Sequence, residues 1–394
     1  MPTIPFWTPR AAQPATRPPA RVDLAIAGGG ITGVCAARWA AASGMSVAVL
    51  ERAHLAAGAS GRNAGFLLGG VAESYAAAVR RYGRAVARDV WALTEVNHAR
   101  LLELGGGTLP GYRRLGSLVA AAGAVERDEL EESAQLLRED GVSARWDARG
   151  KTLAGASFGV LEVPGDGEVD PAAAVEAIAA PVRASIHEGV EMLAVEQRGD
   201  IVRLETTAGP VAAGAVLLAL NGYTAAVAPQ VPIRAVRAQM LATEPVGTQV
   251  AARPTYARRG YDYWRQLPDG RVLVGGRRDV AVDAEEGDAD VTTDAVQSSL
   301  DELRTELGAG AARVTHRWSG VMGFSPDGLP LVGTLHGSQR IVVCGGYTGH
   351  GMGFAAECSR IAVGLLSCDE RPPRHLDLVR ARNENIPPRL VTQV

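Results

Sequence analysis

Six residues near the start of the chain, Gly28-Gly29-Gly30-Ile31-Thr32-Gly33, have the types and spacing that let a main chain close on a pyrophosphate. In this G-x-G-x-x-G, Gly28 permits a tight turn, Gly30 lets the backbone approach the phosphates, and Gly33 lets a helix pack closely on a strand. Glu51 follows Gly33 by 18 residues, where a carboxylate accepts hydrogen bonds from the ribose hydroxyls of an adenosine. The chemistry is that of a dinucleotide. These residues alone do not separate NAD from FAD.

Two later stretches carry groups suited to a reacting centre. Aromatic residues make up only 5% of the chain, yet Tyr261, Tyr263 and Trp264 fall within four positions. On a strand, alternation points Tyr261 and Tyr263 to one face and Trp264 to the other, with core packing as the ordinary alternative. In residues 345–351 glycines surround His350, and a helix starting near Gly351 offers unpaired N–H groups and the positive end of its dipole. A structural histidine in a glycine turn is the alternative there.

The elements that must hold these residues are legible in the pattern around them. Val22 to Ala27 and Ser46 to Leu50 are short apolar runs suited to buried parallel strands, and the small apolar run from Ile31 to Ala42 suits a packed helix. Tyr75, Val79, Tyr82, Val86, Val90 and Leu93 recur at spacings of three and four, which predicts one amphipathic helix. "RAVRAQMLATEP" and "RVLVGGRRD" read as strands, and Pro268-Asp269-Gly270 as a turn, so residues 230–320 suit an antiparallel sheet. The acidic stretch 281–290, "AVDAEEGDAD", reads as an exposed loop.

With 394 residues, 47% of them hydrophobic, and a net charge of -3, the chain reads as a soluble globular protein of two domains. The near-neutral balance gives no electrostatic footprint for nucleic acid, and no apolar run is long enough for a membrane span. A small molecule is the expected partner. Cys35, Cys344, Cys358 and Cys368 lack metal or disulfide spacing, so no metal and a reducing, cytoplasmic location are expected. The prolines of residues 1–20 rule out the apolar core of a signal peptide there, and this lead is expected along a surface.

The stretch "LAAGASGRNAGF", residues 55–66, resembles the glycine oxidase and D-amino acid oxidase group of FAD enzymes, most closely the branch containing gamma-glutamylputrescine oxidase. A proline-rich lead with an early tryptophan, here Trp7, belongs to the same pattern, whereas Ala64 replaces the first glycine of its closing pair. The resemblance implies an α/β fold in which a Rossmann-like FAD-binding domain is interleaved with an antiparallel-sheet substrate domain. It places the FAD domain at 21–75, 150–228 and 318–375 and the substrate domain at 76–149 and 229–317, with a tail at 376–394. It implies noncovalent FAD held by Gly28, Gly30, Ile31, Thr32, Gly33, Glu51, Arg52, Ser60, Gly61, Arg62, Asn63, Gly65, Val195, Asn221, Gly346, Gly349, His350, Gly351 and Met352. Tyr263 and His350 are the implied catalytic residues; Tyr261, Trp264, Arg265 and Met322 are the implied substrate contacts.

The implied activity is oxidation of the C–N bond of a small amine or amino-acid derivative by hydride transfer to flavin N5, followed by imine hydrolysis, with oxygen or another electron acceptor. An NAD(P)-dependent dehydrogenase and a flavin-binding protein without turnover are the alternatives. Two departures from the pattern bear on the substrate and the acceptor. Met322 stands where amino-acid-oxidising relatives carry an arginine for the substrate carboxylate, leaving Arg265, Arg277 and Arg278 as other possible anchors. Relatives that react fast with oxygen carry a lysine at about the position of Leu273, and the only lysine here is Lys151.

Overall fold

The computed structural model describes residues 3–7, 16–151, 158–367 and 370–383. The Arg21–Ala27 strand is apolar on both faces because it is central, flanked in parallel by Val47–Glu51 and Val211–Leu218. Parallel pairing continues outward to Ile186–Glu188 on one side and Ile341–Gly345 on the other. Leu331–Thr334 closes that second edge antiparallel to its neighbour. Ile201–Thr206 and Met192–Arg198 form an antiparallel extension from Val211–Leu218. Over this sheet the Ile31–Ala42 helix packs against the Gly351–Ser367 helix, which packs in turn against Arg84–Leu104.

The second sheet runs in the order Val314–Phe324, Arg234–Pro245, Arg271–Gly276, Asp262–Gln266, Thr255–Ala257, Ser117–Ala120, Val160–Val163, Arg145–Asp147. It is antiparallel except where Thr255–Ala257 meets Ser117–Ala120 in parallel. The α/β class and the interleaving of the two sheets agree with the sequence reading. The divisions at 149/150 and 317/318 do not fit the sheets, since Val160–Val163 pairs within the second sheet and Val314–Phe324 runs through residue 318.

Other sequence expectations are corrected by longer-range contacts. The single helix expected over residues 75–93 is two, Tyr75–Tyr82 and Arg84–Leu104, because Gly83 takes a φ of 84° between them. The acidic stretch 281–290 is not simply exposed: Glu285 is 1% exposed and pairs with Arg237, Gln239 and Thr293. The proline-rich lead is partly internal, since Trp7 is buried and its Nε1 donates to the Asn63 carbonyl. Leu376 and Leu378 of the expected tail are buried and bracket Val332 through backbone bonds. Cys368 and residues 384–394 lie outside the described residues.

Asp166, just beyond the Val160–Val163 strand, is buried; it accepts hydrogen bonds from Ser117 Oγ at 2.5 Å and the Gly69 N–H at 2.9 Å. Burial pushes its carboxyl up from 3.8 to about 7. The folded chain therefore keeps a proton that the unfolded chain releases, so the stability this group contributes is complete below about 3.8 and is lost as pH rises through about 7. Asp166→Asn removes that dependence and keeps both hydrogen bonds. Thermal melts from pH 5 to 8 should show the wild type losing stability relative to the variant, by up to about 1.4 kcal/mol per pH unit. Parallel melting curves would contradict it.

Candidate active site

A cavity of about 670 Å³ lies between the two sheets and takes its wall from both. At one end the turn after Arg21–Ala27 is fixed by contact between backbones. Gly28 has a φ of 109°, and a Cβ placed on it would lie 2.6 Å from the Ala219 carbonyl oxygen. On Gly33 a Cβ would lie 1.9 Å from the Gly28 carbonyl oxygen. Glu51 ends its strand beneath this turn, accepting from the Gly29 N–H and the Ala53 N–H at 2.8 Å each. Burial raises its pKa while those two hydrogen bonds oppose the shift. Beside it the Arg52 guanidinium lies 4.3 Å from the Tyr223 ring centroid.

The loop 55–66 forms the next part of the wall. Ser60 Oγ accepts from the Ile31 N–H at 2.9 Å, and no side chain caps that helix at Gly30. Asn63 folds the loop on itself, donating to the carbonyls of Ala59 and Ser60 and accepting from the Gly65 N–H at 2.7 Å. From outside, Trp7 Nε1 reaches the Asn63 carbonyl at 2.7 Å and Trp318 Nε1 the Arg62 carbonyl at 2.9 Å. Arg62 is an anchor: it pairs with Asp290 at 2.9 Å and donates to the carbonyls of Ala57 and Ser319.

At the other end the glycine turn leads from Ile341–Gly345 into the helix Gly351–Ser367. Asn221, at a φ of 46°, accepts from the Gly346 N–H through Oδ1, and Tyr347 Oη lies 2.9 Å from Thr32 Oγ1. The His350 ring stacks on Tyr256 with centroids 6.0 Å apart, and Tyr256 meets Tyr263 edge to face at 5.8 Å. Burial lowers His350 to about 4, opposed by the Thr348 backbone, and its buried Nδ1 has no hydrogen-bond partner. Burial likewise holds the phenols of Tyr256 and Tyr263 protonated.

The cavity wall gathers Gly28, Gly30, Ile31, Thr32, Glu51, Arg52, Ser60, Arg62, Asn63, Asn221, Gly349, His350, Gly351, Met352, Tyr261, Tyr263 and Met322. Gly33, Gly61, Gly65 and Gly346 stand behind it, where each lets two backbones or a backbone and a side chain meet. Val195 is displaced: it faces the outer core from Met192–Arg198, and Val190, Glu191 and Met192 form the wall in that stretch. Trp264 is not a cavity residue, because alternation turns it into the core with Val272, Val274 and Leu300. Arg265 is not one either, because its guanidinium donates to the carbonyls of Gly65 and Val169 and faces Glu168 at 3.6 Å.

Sequence reasoning missed Tyr256 and Asp290, whereas Arg278, one of the three arginines named as possible anchors, does line the cavity. Tyr256 lies directly across a hairpin from Tyr263, so the alternation that selected Tyr263 would have found it once the turn at 258–260 was recognised. Asp290 was hidden in the acidic stretch; its pairing with Arg62 spans 228 positions (290 − 62) and has no local signal.

A parallel sheet ending in a glycine turn and a ribose-ready carboxylate, set against an aromatic wall on a second sheet, is the architecture of a dinucleotide-dependent oxidoreductase. The family described as FAD dependent oxidoreductase (DAO) matches residues 23–365, and the chain belongs to it. That makes it an FAD-dependent oxidoreductase and sets aside the NAD(P) alternative. It is 27% identical over 371 residues to "Probable oxidoreductase OrdL" of Rhizobium meliloti (strain 1021), covering 88% of this chain and 83% of that one. With "Gamma-glutamylputrescine oxidoreductase" of Escherichia coli (strain K12) it shares 27% identity over 376 residues, 88% of this chain and 84% of the relative. Among solved structures, glycine oxidase from Geobacillus kaustophilus superposes with a TM-score of 0.74 at 21% identity, covering 91% of this chain and 97% of that chain.

The described residues suit FAD in kind. The cleft offers a helix N-terminus beside glycines, with Ser60 Oγ on its first N–H, the Glu51 carboxylate and a second helix start at Gly351, and among the described residues no helix is long and apolar enough to cross a membrane. Among the described residues no cluster of metal-ligating side chains is found.

His350 gives the site a measurable signature. The unfolded chain protonates the ring near 6.5 and the folded chain only near 4, so acid costs stability across that window. A histidine-selective NMR titration, with His350→Gln for assignment, should place the midpoint near 4, leaving the ring neutral throughout the neutral range. A midpoint near 6.5 would show that the ring is solvated.

Proposed function

We propose that this chain oxidises the carbon–nitrogen single bond of a small amine or amine-bearing acid, with FAD held noncovalently. The observation that carries this reading is the pairing of a tyrosine wall with a half-buried, neutral imidazole whose buried Nδ1 is unpartnered. FAD, when bound, supplies a hydride acceptor at its N5. The protein supplies position and dryness. Tyr256, Tyr261 and Tyr263 offer apolar faces to the carbon chain of the amine and keep water from it. His350 Nδ1 is available to accept an N–H of the amine, which orients its nitrogen on the cavity wall. Gly28, Gly30, Thr32, Glu51, Arg52 and Ser60 stand where the dinucleotide half would lie, and Gly349, Gly351 and Met352 where the helix dipole would meet developing negative charge.

Noncovalent binding is supported by the state of Cys344: it is buried, its thiol is pushed up to about 12, and its Sγ lies 3.3 Å from Tyr347 Oη. Cys35 and Cys358 are also buried free thiols, which supports a reducing, cytoplasmic setting. Relatives by name act on gamma-glutamylputrescine and glycine, and both are amines.

Anaerobic mixing of the purified yellow protein with pooled amines and amino acids should bleach the visible flavin absorbance, whereas alcohols and hydroxy acids leave it intact. Acid precipitation should release the colour to the supernatant. Bleaching by hydroxy acids and by no amine would overturn the reading.

Oxygen is the poorer of the possible acceptors. Leu273 is buried within the core rather than on the cavity wall, and Lys151 is exposed. A lysine ammonium beside reduced flavin stabilises the superoxide formed first, and no lysine lines this cavity among the described residues, which raises that barrier. Stopped-flow mixing of reduced protein with oxygenated buffer should give reoxidation at least about tenfold slower than reoxidation by a soluble quinone, one such charge contributing on the order of 1.4 kcal/mol or more. Equal rates would refute it.

A further inference from the structure

Six arginines line the cavity: Arg52, Arg62, Arg81, Arg234, Arg259 and Arg278. Four of them are paired with carboxylates, Arg62 with Asp290, Arg81 with Glu73, Arg234 with Glu286 and Arg259 with Glu129. Arg52 lies on Tyr223 beside Glu51, at the dinucleotide end. Arg278 is different. Its guanidinium carbon lies 4.6 Å from the Tyr261 ring centroid and 5.2 Å from that of Phe324, so the head is held between two rings on the cavity wall. Among the described residues no carboxylate pairs with it. A half-buried guanidinium held this way costs free energy until an anion meets it.

Its place along the wall says where that anion lies. Gly320, Val321, Met322 and Phe324 of the Val314–Phe324 strand all line the cavity. Met322 occupies the position at which the family pattern carries an arginine for an α-carboxylate, and its Sδ packs 3.5 Å from where a Cβ on Gly349 would be, next to His350. Phe324, under Arg278, is two residues further along, about 7 Å at the rise of a strand. The cation has moved away from the imidazole along the tyrosine wall.

We propose that Arg278 anchors the substrate through a carboxylate separated from the oxidised carbon by several bonds, so that the substrate class is an ω-amino acid or an amine acylated by a carboxylate-bearing group rather than an α-amino acid. The chain between the two groups lies on Tyr256, Tyr261 and Tyr263. An α-amino acid carries both groups on one carbon and spans none of this distance. The inference rests on the C–N oxidation proposed above.

The test uses the FAD-loaded protein and two unreactive probes of one shape, hexanoate and hexanamide, whose binding is read as a shift of the flavin spectrum. Hexanoate should bind at least about tenfold more tightly than hexanamide, the difference expected of a charge-assisted fork. In Arg278→Gln that ratio should fall to about one, and in Arg278→Lys, which keeps the charge without the fork, to an intermediate value. In the wild type, ε-aminocaproate should bleach the flavin faster than glycine. An unchanged probe ratio in Arg278→Gln, or in Arg278→Lys if the first variant does not fold, overturns the proposal, as does faster bleaching by glycine. If the probe ratio still collapses while neither these two nor any pooled amine bleaches the flavin, the anchor stands and the C–N reading fails.

Discussion

Three carbonyl groups in the loop 55–66 are gripped from outside it, and the cavity depends on that grip. Trp318 takes the Arg62 carbonyl, Trp7 the Asn63 carbonyl and Arg265 the Gly65 carbonyl. The loop's own bonds, chiefly those of Asn63, close it into a unit, and these donors, together with the bond from Arg62 to the Ser319 carbonyl, fix that unit against its surroundings. Each neutral bond contributes on the order of 1 kcal/mol net, and leaving such a carbonyl buried and unpaired costs more than the bond itself contributes. The loop is thus held in place mainly by what it would lose on moving.

This explains why a buried charge such as Arg265 is tolerated so close to a reaction site without taking part in it. Burial lowers its pKa to about 10, yet Glu168 faces it and two carbonyls accept from one of its nitrogens, so it remains a cation held away from the cavity. Arg62 repeats the device with Asp290. The cavity therefore contains many cations and few free ones, and selectivity for a charged ligand rests on which guanidinium the fold leaves without a partner.

How much of this the sequence disclosed depended on the distance between partners. The glycine turn, Glu51 and the aromatic alternation are local, with spacing and period as their signals, and they proved legible. Trp264 and Tyr263 separated correctly onto two faces, although the sequence could not say which face met a core. Arg265 looked like a ligand because its type and neighbours suit one; its carbonyl partners at Gly65 and Val169 are 200 and 96 positions away. Gly61, Gly65 and Gly346 were assigned to the cofactor for the same reason. Their lack of a side chain serves close packing behind the wall, and packing partners leave no motif. The break at Gly83 was overlooked because the apolar stripe continues in phase across it.

The interleaving of the two sheets also governs how the chain comes to be folded. Arg21–Ala27 leaves the ribosome well before its sheet neighbours: Val211–Leu218 emerges almost two hundred residues later, and Ile341–Gly345 later still. Until then the apolar faces of Arg21–Ala27 and Val47–Glu51 have only local cover from the Ile31–Ala42 helix. Contacts of this separation fold slowly and leave strand edges open for as long as synthesis lasts. The nascent chain passes through a long interval in which the nucleotide-binding turn already exists but its sheet does not, and during that interval chaperone cover matters more than for a protein whose domains are continuous in sequence.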